Sequence, residues 1–125
     1  MASKLTTHCF SWIYGGKFLR HLHTVKGAGH EDFQGESIYF WNSSAKQLEY
    51  VYIESHGGFS RGPVATDQDA LVFPPTSYVE NGQTQTYRSR WQRVGSNAFD
   101  VTTELQSKGS WVPGFKVHMQ MLANN

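Results

Sequence analysis

Turn-forming residues punctuate this chain at nearly regular intervals, and that spacing restricts the fold more than any other feature. Gly15-Gly16, Asn42-Ser43-Ser44, Gly57-Gly58, Asp67-Gln68-Asp69, Asn81-Gly82, Gly95-Ser96-Asn97 and Lys108-Gly109-Ser110 each separate runs rich in aromatic and β-branched residues. Glycine and asparagine supply the positive φ angles of tight hairpin turns. Turn signals every ~8–12 residues between short apolar runs indicate the strands of a sandwich or barrel. No segment carries a sustained helical period with caps, so helices are not expected. The reading is a single all-β domain over residues 1–125, with about eight or nine mostly antiparallel strands in a meander. Curling such a meander into an up-and-down barrel removes its exposed edges.

The centre of the chain, residues 50–62, reads as a strand, a tight turn at Gly57-Gly58 and a returning strand. It gathers Glu54, His56 and Arg61 around that turn. Residues 27–32 read as a polar loop, and Pro74-Pro75 is expected to end a strand at Phe73, because proline cannot donate to a ladder. Two strands alternate clearly. One places Tyr87, Ser89 and Trp91 opposite Arg88, Arg90 and Gln92. The last places Phe115, Val117, Met119 and Met121 opposite Lys116, His118 and Gln120, which implies one buried face and one wet face. Residues 47–54 leave two choices, burying either Val51 and Ile53 or Leu48, Tyr50 and Tyr52.

Composition excludes several classes. Charged residues make up 17%, the formal net charge is +1 and no run of like charge occurs, so no nucleic-acid partner is expected. No window approaches the ~18–20 apolar residues of a membrane helix, and the N-terminal residues carry no signal-peptide pattern. The single Cys9 cannot form an intrachain disulfide, which fits a reducing compartment and a cytoplasmic protein. Aromatic residues reach 14%, more than a small core normally uses, and a ligand cavity would employ them.

The order of an aromatic strand, Gly15-Gly16-Lys17-Phe18-Leu19, Ser37-Ile38-Tyr39-Phe40-Trp41 and Leu48 through Phe59 resembles bacterial lipocalin-like proteins of the calycin type. Tyr87-Arg88, Trp91, Phe99, Glu104, Trp111 and Met119 extend the likeness over most of the chain. The resemblance implies a barrel fold and says little about chemistry. The Gly-x-Trp-x-Gly strand that opens such barrels is absent, so either the barrel is incomplete and a partner chain closes it or the cavity is an open groove, with a homodimer as the simplest remedy.

Candidate chemistry is sparse. Glu54 beside His56 supplies a carboxylate and an imidazole for acid–base work, with Arg61 to hold an anionic group; the alternative is a solvated loop tip. Glu54 shares a face with Tyr50 and Tyr52 and would lie near the mouth if that face is the lumen. His21-Leu22-His23 puts two imidazoles on one strand face, similar to the opening of a cupin motif, but the later cupin residues are missing. A metal would need His8, His30 or Glu31 to complete the set, and a solvated outer face is the expectation, with no metal and no cofactor. Haem barrels of the nitrobindin type resemble this size class, but His118 alternates with Lys116 and Gln120, away from the apolar face. Ser60 and Cys9 lack a nucleophile elbow or an adjacent base. Phosphate-binding glycine loops are absent.

The function expected is binding of a small, mostly apolar molecule inside the barrel. Trp12, Tyr52, Tyr87, Ser89 and Trp91 would form the wall, with Arg61, Glu54 and His56 at the rim. Two alternatives stand beside it: a barrel isomerase, cyclase or hydrolase using Glu54 or His56, and a ligand-free dimeric scaffold.

Overall fold

Tight turns of left-handed backbone build this molecule. The computed structural model describes residues 4–27 and 32–121, and the expected loop at residues 27–32, with His30 and Glu31, falls mostly outside them. Positive φ angles at Gly15 and Gly16, at Asn81 and Gly82, and at Lys108 and Gly109 reverse the chain where the turn chemistry requires it. Asn81-Gly82 alone separates two long strands.

Nine antiparallel strands result: β1 (Lys4–Ile13), β2 (Phe18–Gly27), β3 (Phe33–Asn42), β4 (Gln47–Glu54), β5 (Phe59–Asp67), β6 (Ala70–Glu80), β7 (Gln83–Val94), β8 (Ala98–Ser107) and β9 (Ser110–Gln120). They form one sheet in simple chain order, so every strand pairs with its sequence neighbours. The sheet curls into a half-barrel of the open lipocalin-like kind. Among the described residues β1 and β9 do not pair, and the chain leaves its barrel open along that side. No helix among the described residues is long and apolar enough to cross a membrane.

Pro74-Pro75 does not end a strand, contrary to expectation. β6 runs through both prolines, because a bulge absorbs their missing N–H groups. Phe73 pairs with Ser89 and Thr76 with Tyr87, so β6 carries one more residue than β7 over that interval. The extra residue switches the inward face from odd to even positions: Phe73 points in before the bulge, Tyr78 after it. Thr76 Oγ1 donates to the Pro74 carbonyl at 2.7 Å, fixing the bend from within the strand. A second bulge, at Gly114 in β9, pairs Thr103 with Phe115 but Glu104 with Pro113.

The core sits on the concave side. Tyr50, Val64 and Phe73 are buried, with Tyr39, Leu48, Tyr52, Leu71 and Trp91 packed on them. Each fully buried side chain of this size contributes about 1.5–3 kcal/mol. The choice left open for β4 resolves in favour of Leu48, Tyr50 and Tyr52, while Ile53 is exposed on the convex side. The expected burial of the β9 face does not hold. Phe115, Val117 and Met121 are all exposed, because the edge strand has no partner strand to fold against.

Candidate functional site

The curl encloses a cavity of about 580 Å³. Its lining comes from the inward positions of eight strands, every one except β5. Tyr52, Tyr87, Ser89 and Trp91, four of the five wall residues expected from the sequence, line it. Trp12 does not. It shares the inward parity of His8 but lies at the far end of β1, 67% exposed. Arg61 faces outward, opposite Val51 in the ladder and 4.0 Å from Glu49, so it cannot guard the rim.

Glu54 shares the inward face of Tyr52 at the end of β4, where it caps the following turn. Its Oε1 accepts the N–H groups of His56 (2.7 Å) and Gly58 (2.6 Å), and its Oε2 accepts the Tyr78 hydroxyl (2.6 Å). Burial alone would push this carboxyl up, but the three donors outweigh it and hold the group below the ordinary carboxylate range. That is the wrong direction for a general base working near neutrality. His56 lies outside the cavity, against Phe33 and 4.0 Å from Glu80.

A buried polar feature is a triad of hydroxyls that the sequence reading did not single out as a unit. Ser60 Oγ donates to the Ser77 carbonyl at 2.9 Å, which uses its only proton. It therefore accepts from Tyr50 (3.0 Å) or Tyr87 (3.1 Å), and the two tyrosine hydroxyls meet each other at 2.8 Å. All three protons are consumed within the wall, so what the triad can offer a ligand is acceptor lone pairs. Burial is the leading cause that pushes the Tyr87 phenol up, and it remains neutral. Beside it, Ser89 Oγ and Thr103 Oγ1 bond each other at 2.6 Å.

The histidines overturn the expectation of a solvated outer face. His8, His21 and His23 all line the cavity, and His21 is only 3% exposed. His8 Nδ1 lies 2.8 Å from His21 Nε2; His21 Nδ1 lies 3.0 Å from the Tyr39 hydroxyl; His23 Nε2 lies 3.4 Å from the Tyr52 hydroxyl. Phe10 stacks on His21 with 4.1 Å between ring centroids, and Trp91 meets it edge-on at 5.7 Å. Burial first, and the neighbouring histidines second, lower His8 to about 4 and His21 to about 3. Burial likewise lowers His23, against the opposing pull of Glu54. Near neutral pH these rings are uncharged.

Gly35 makes this packing possible. It lies opposite His23 in the ladder, and a Cβ there would overlap the His23 ring and the Tyr52 hydroxyl. A glycine inside a strand commonly marks such a close approach. Position His8 was also accessible from sequence, because a hairpin centred between Gly15 and Gly16 sets His8 directly opposite His23. His118, by contrast, sits on the convex face as its alternation indicated, 2.6 Å from Asp100.

Fold and site together define an open antiparallel barrel with an aromatic cavity that holds a hydroxyl triad and a histidine cluster, with no closing strand pair among the described residues. No protein-family model matches the sequence, and no curated protein matches it either.

Proposed function

We propose that this chain is a lipocalin-like binding protein that holds a small, mostly apolar molecule in the concavity of its sheet. The carrying observation is the cavity of about 580 Å³, within the ~300–1,000 Å³ typical of small-molecule sites and lined mainly by aromatic and aliphatic side chains. Several of its polar groups bond one another, as the Tyr50–Tyr87 hydroxyls, Ser89 with Thr103 and His8 with His21 do, an arrangement suited to sites where orientation matters more than charge. Phe10 and Trp12 on β1 and Phe115 and Val117 on β9 remain exposed along the two edges unpaired among the described residues. That pattern supports a homodimer in which a second copy covers the open side. A free Cys9 at the surface accords with a cytoplasmic setting.

Trp91 is the natural reporter, since it is the one tryptophan in the cavity lining. Titration with an anilinonaphthalene probe should change Trp91 emission saturably, at one site per chain. Trp91→Phe should abolish that change while probe fluorescence still rises. A linear, unsaturable response in the native chain would dispose of the binding reading. The enzyme alternative gains nothing from Glu54, whose carboxylate is engaged by three donors.

A further inference from the structure

The curl of the sheet brings three imidazoles together among aromatic rings and hydroxyls, with the Glu54 carboxylate near enough to act on His23. His21 and His23 stand two apart on β2, so both point inward; His8 on β1 is the ladder partner of His23 and the diagonal neighbour of His21. One nitrogen from each ring lies within 4.8 Å of one from each of the others. Two nitrogens bound to one tetrahedral Zn²⁺ at ~2.0–2.1 Å stand about 3.3 Å apart. The closest pair here is at 2.8 Å and the set spreads to within 4.8 Å, so ring rotations that part the one pair and draw in the third ring would admit an ion.

We propose that His8, His21 and His23 form a three-histidine centre for a borderline divalent transition metal, Zn²⁺ in the first instance, whose remaining coordination position opens into the cavity. The supporting shell is already present. With His21 Nε2 on the metal, Nδ1–H donates to the Tyr39 hydroxyl at 3.0 Å and fixes the tautomer. Tyr52 stands at His23, and Gly35 leaves the space that lets that ring lie where it does. Imidazole donors suit zinc, copper, nickel and cobalt rather than magnesium or calcium. Among the described residues the other gathering of ligating groups, Glu54, His56 and Glu80, is a poor competitor, because both Glu54 oxygens are occupied by protein donors.

Three protein ligands leave a tetrahedral ion one open position. Neutral imidazoles leave its double charge uncompensated inside an apolar wall, so that position selects an anionic head group. The ligand class becomes a carboxylate, hydroxamate or thiolate carried on an apolar body. This last step rests on the cavity reading above; the metal centre itself does not.

The test loads the chelator-treated full chain with Co²⁺ and follows the visible absorption of the tetrahedral ion. One equivalent per chain is expected, displaced by Zn²⁺, with Trp91 emission changing in parallel. His8→Gln and His23→Gln should each weaken binding by at least ten-fold, while His56→Gln leaves it unchanged. Tyr39→Phe should retain the stoichiometry with affinity lowered roughly ten-fold. Circular dichroism shows which variants are folded; if His23→Gln is not, the half-buried His8 carries the test. Absence of saturable Co²⁺ binding, or equal losses in His8→Gln and His56→Gln, would overturn the centre. An octyl hydroxamate should then shift the Co²⁺ spectrum of the loaded chain. A normal Co²⁺ spectrum that the hydroxamate leaves unmoved refutes the anionic-ligand step and keeps the metal; probe binding without metal binding refutes the centre and keeps the cavity.

Discussion

β4 and β9 carry the same alternating script and meet opposite fates. Tyr50 on β4 points inward and is 3% exposed; Phe115 on β9 points inward and is 56% exposed. The difference lies in neighbours. β4 is flanked by β3 and β5 and faces Phe73 across the curl, with ring centroids 5.3 Å apart. Among the described residues β9 has β8 on one side and no strand on the other. Alternation therefore encodes which way a side chain points, while burial depends on how many strands surround it.

The largest expected effect tests that contrast directly. Tyr50→Ala should cost about 3–5 kcal/mol in urea unfolding, since it removes a buried ring and one member of the hydroxyl triad. Phe115→Ala should cost within about 1 kcal/mol in the monomer, as for other exposed positions. If a second copy covers the open side, the Phe115→Ala cost should instead grow with protein concentration. Equal costs for the two variants at every concentration would erase the distinction between interior and edge.

A smaller effect belongs to the wall between them. Gly35→Ala places a methyl group where the His23 ring and Tyr52 hydroxyl meet, and β3 cannot yield because it is paired on both sides. Overpacking of this kind costs about 1–3 kcal/mol. The imidazole resonances of His23 in NMR spectra should move while those of His118, on the convex face, stay in place. Unchanged His23 resonances would mean that the glycine is not what seats that ring.

Strand number, the meander and the inward faces of β7 and β9 were legible in the sequence because turn chemistry and two-residue periodicity are local. The course of β6 was not. Two prolines ordinarily end a strand, and only the register on either side reveals that a bulge carries β6 past them. The histidines were misjudged for another reason: His21 and His23 were given a common face correctly, but their direction depends on the curl of the whole sheet. Trp12 shows the converse limit. Its parity is right for the wall, yet parity does not say how far along the strand the cavity reaches. Arg61 failed on parity itself, since it alternates with Ser60, and Ser60 points in.

The smallest expected effect concerns the rim, where β4 gives way to the turn. Glu54→Gln keeps one acceptor for the His56 and Gly58 N–H groups but sets an amide against the Tyr78 hydroxyl. Hydrogen bonds to an ionised group are the stronger kind, so the variant should lose about 1–2 kcal/mol at pH 7. The pH dependence carries a definite sign. The folded carboxyl is lowered from its ordinary 4.5, so its contribution is whole above that value and is lost as pH falls through the lowered one. Native and variant stabilities, measured from pH 7 down to about 3, should therefore converge at the acid end. Tyr78→Phe should show a smaller version of the same convergence, because it removes one donor of three. Parallel curves would mean that the turn does not hold Glu54 ionised, and the residue would return as a candidate acid or base at the mouth of the cavity.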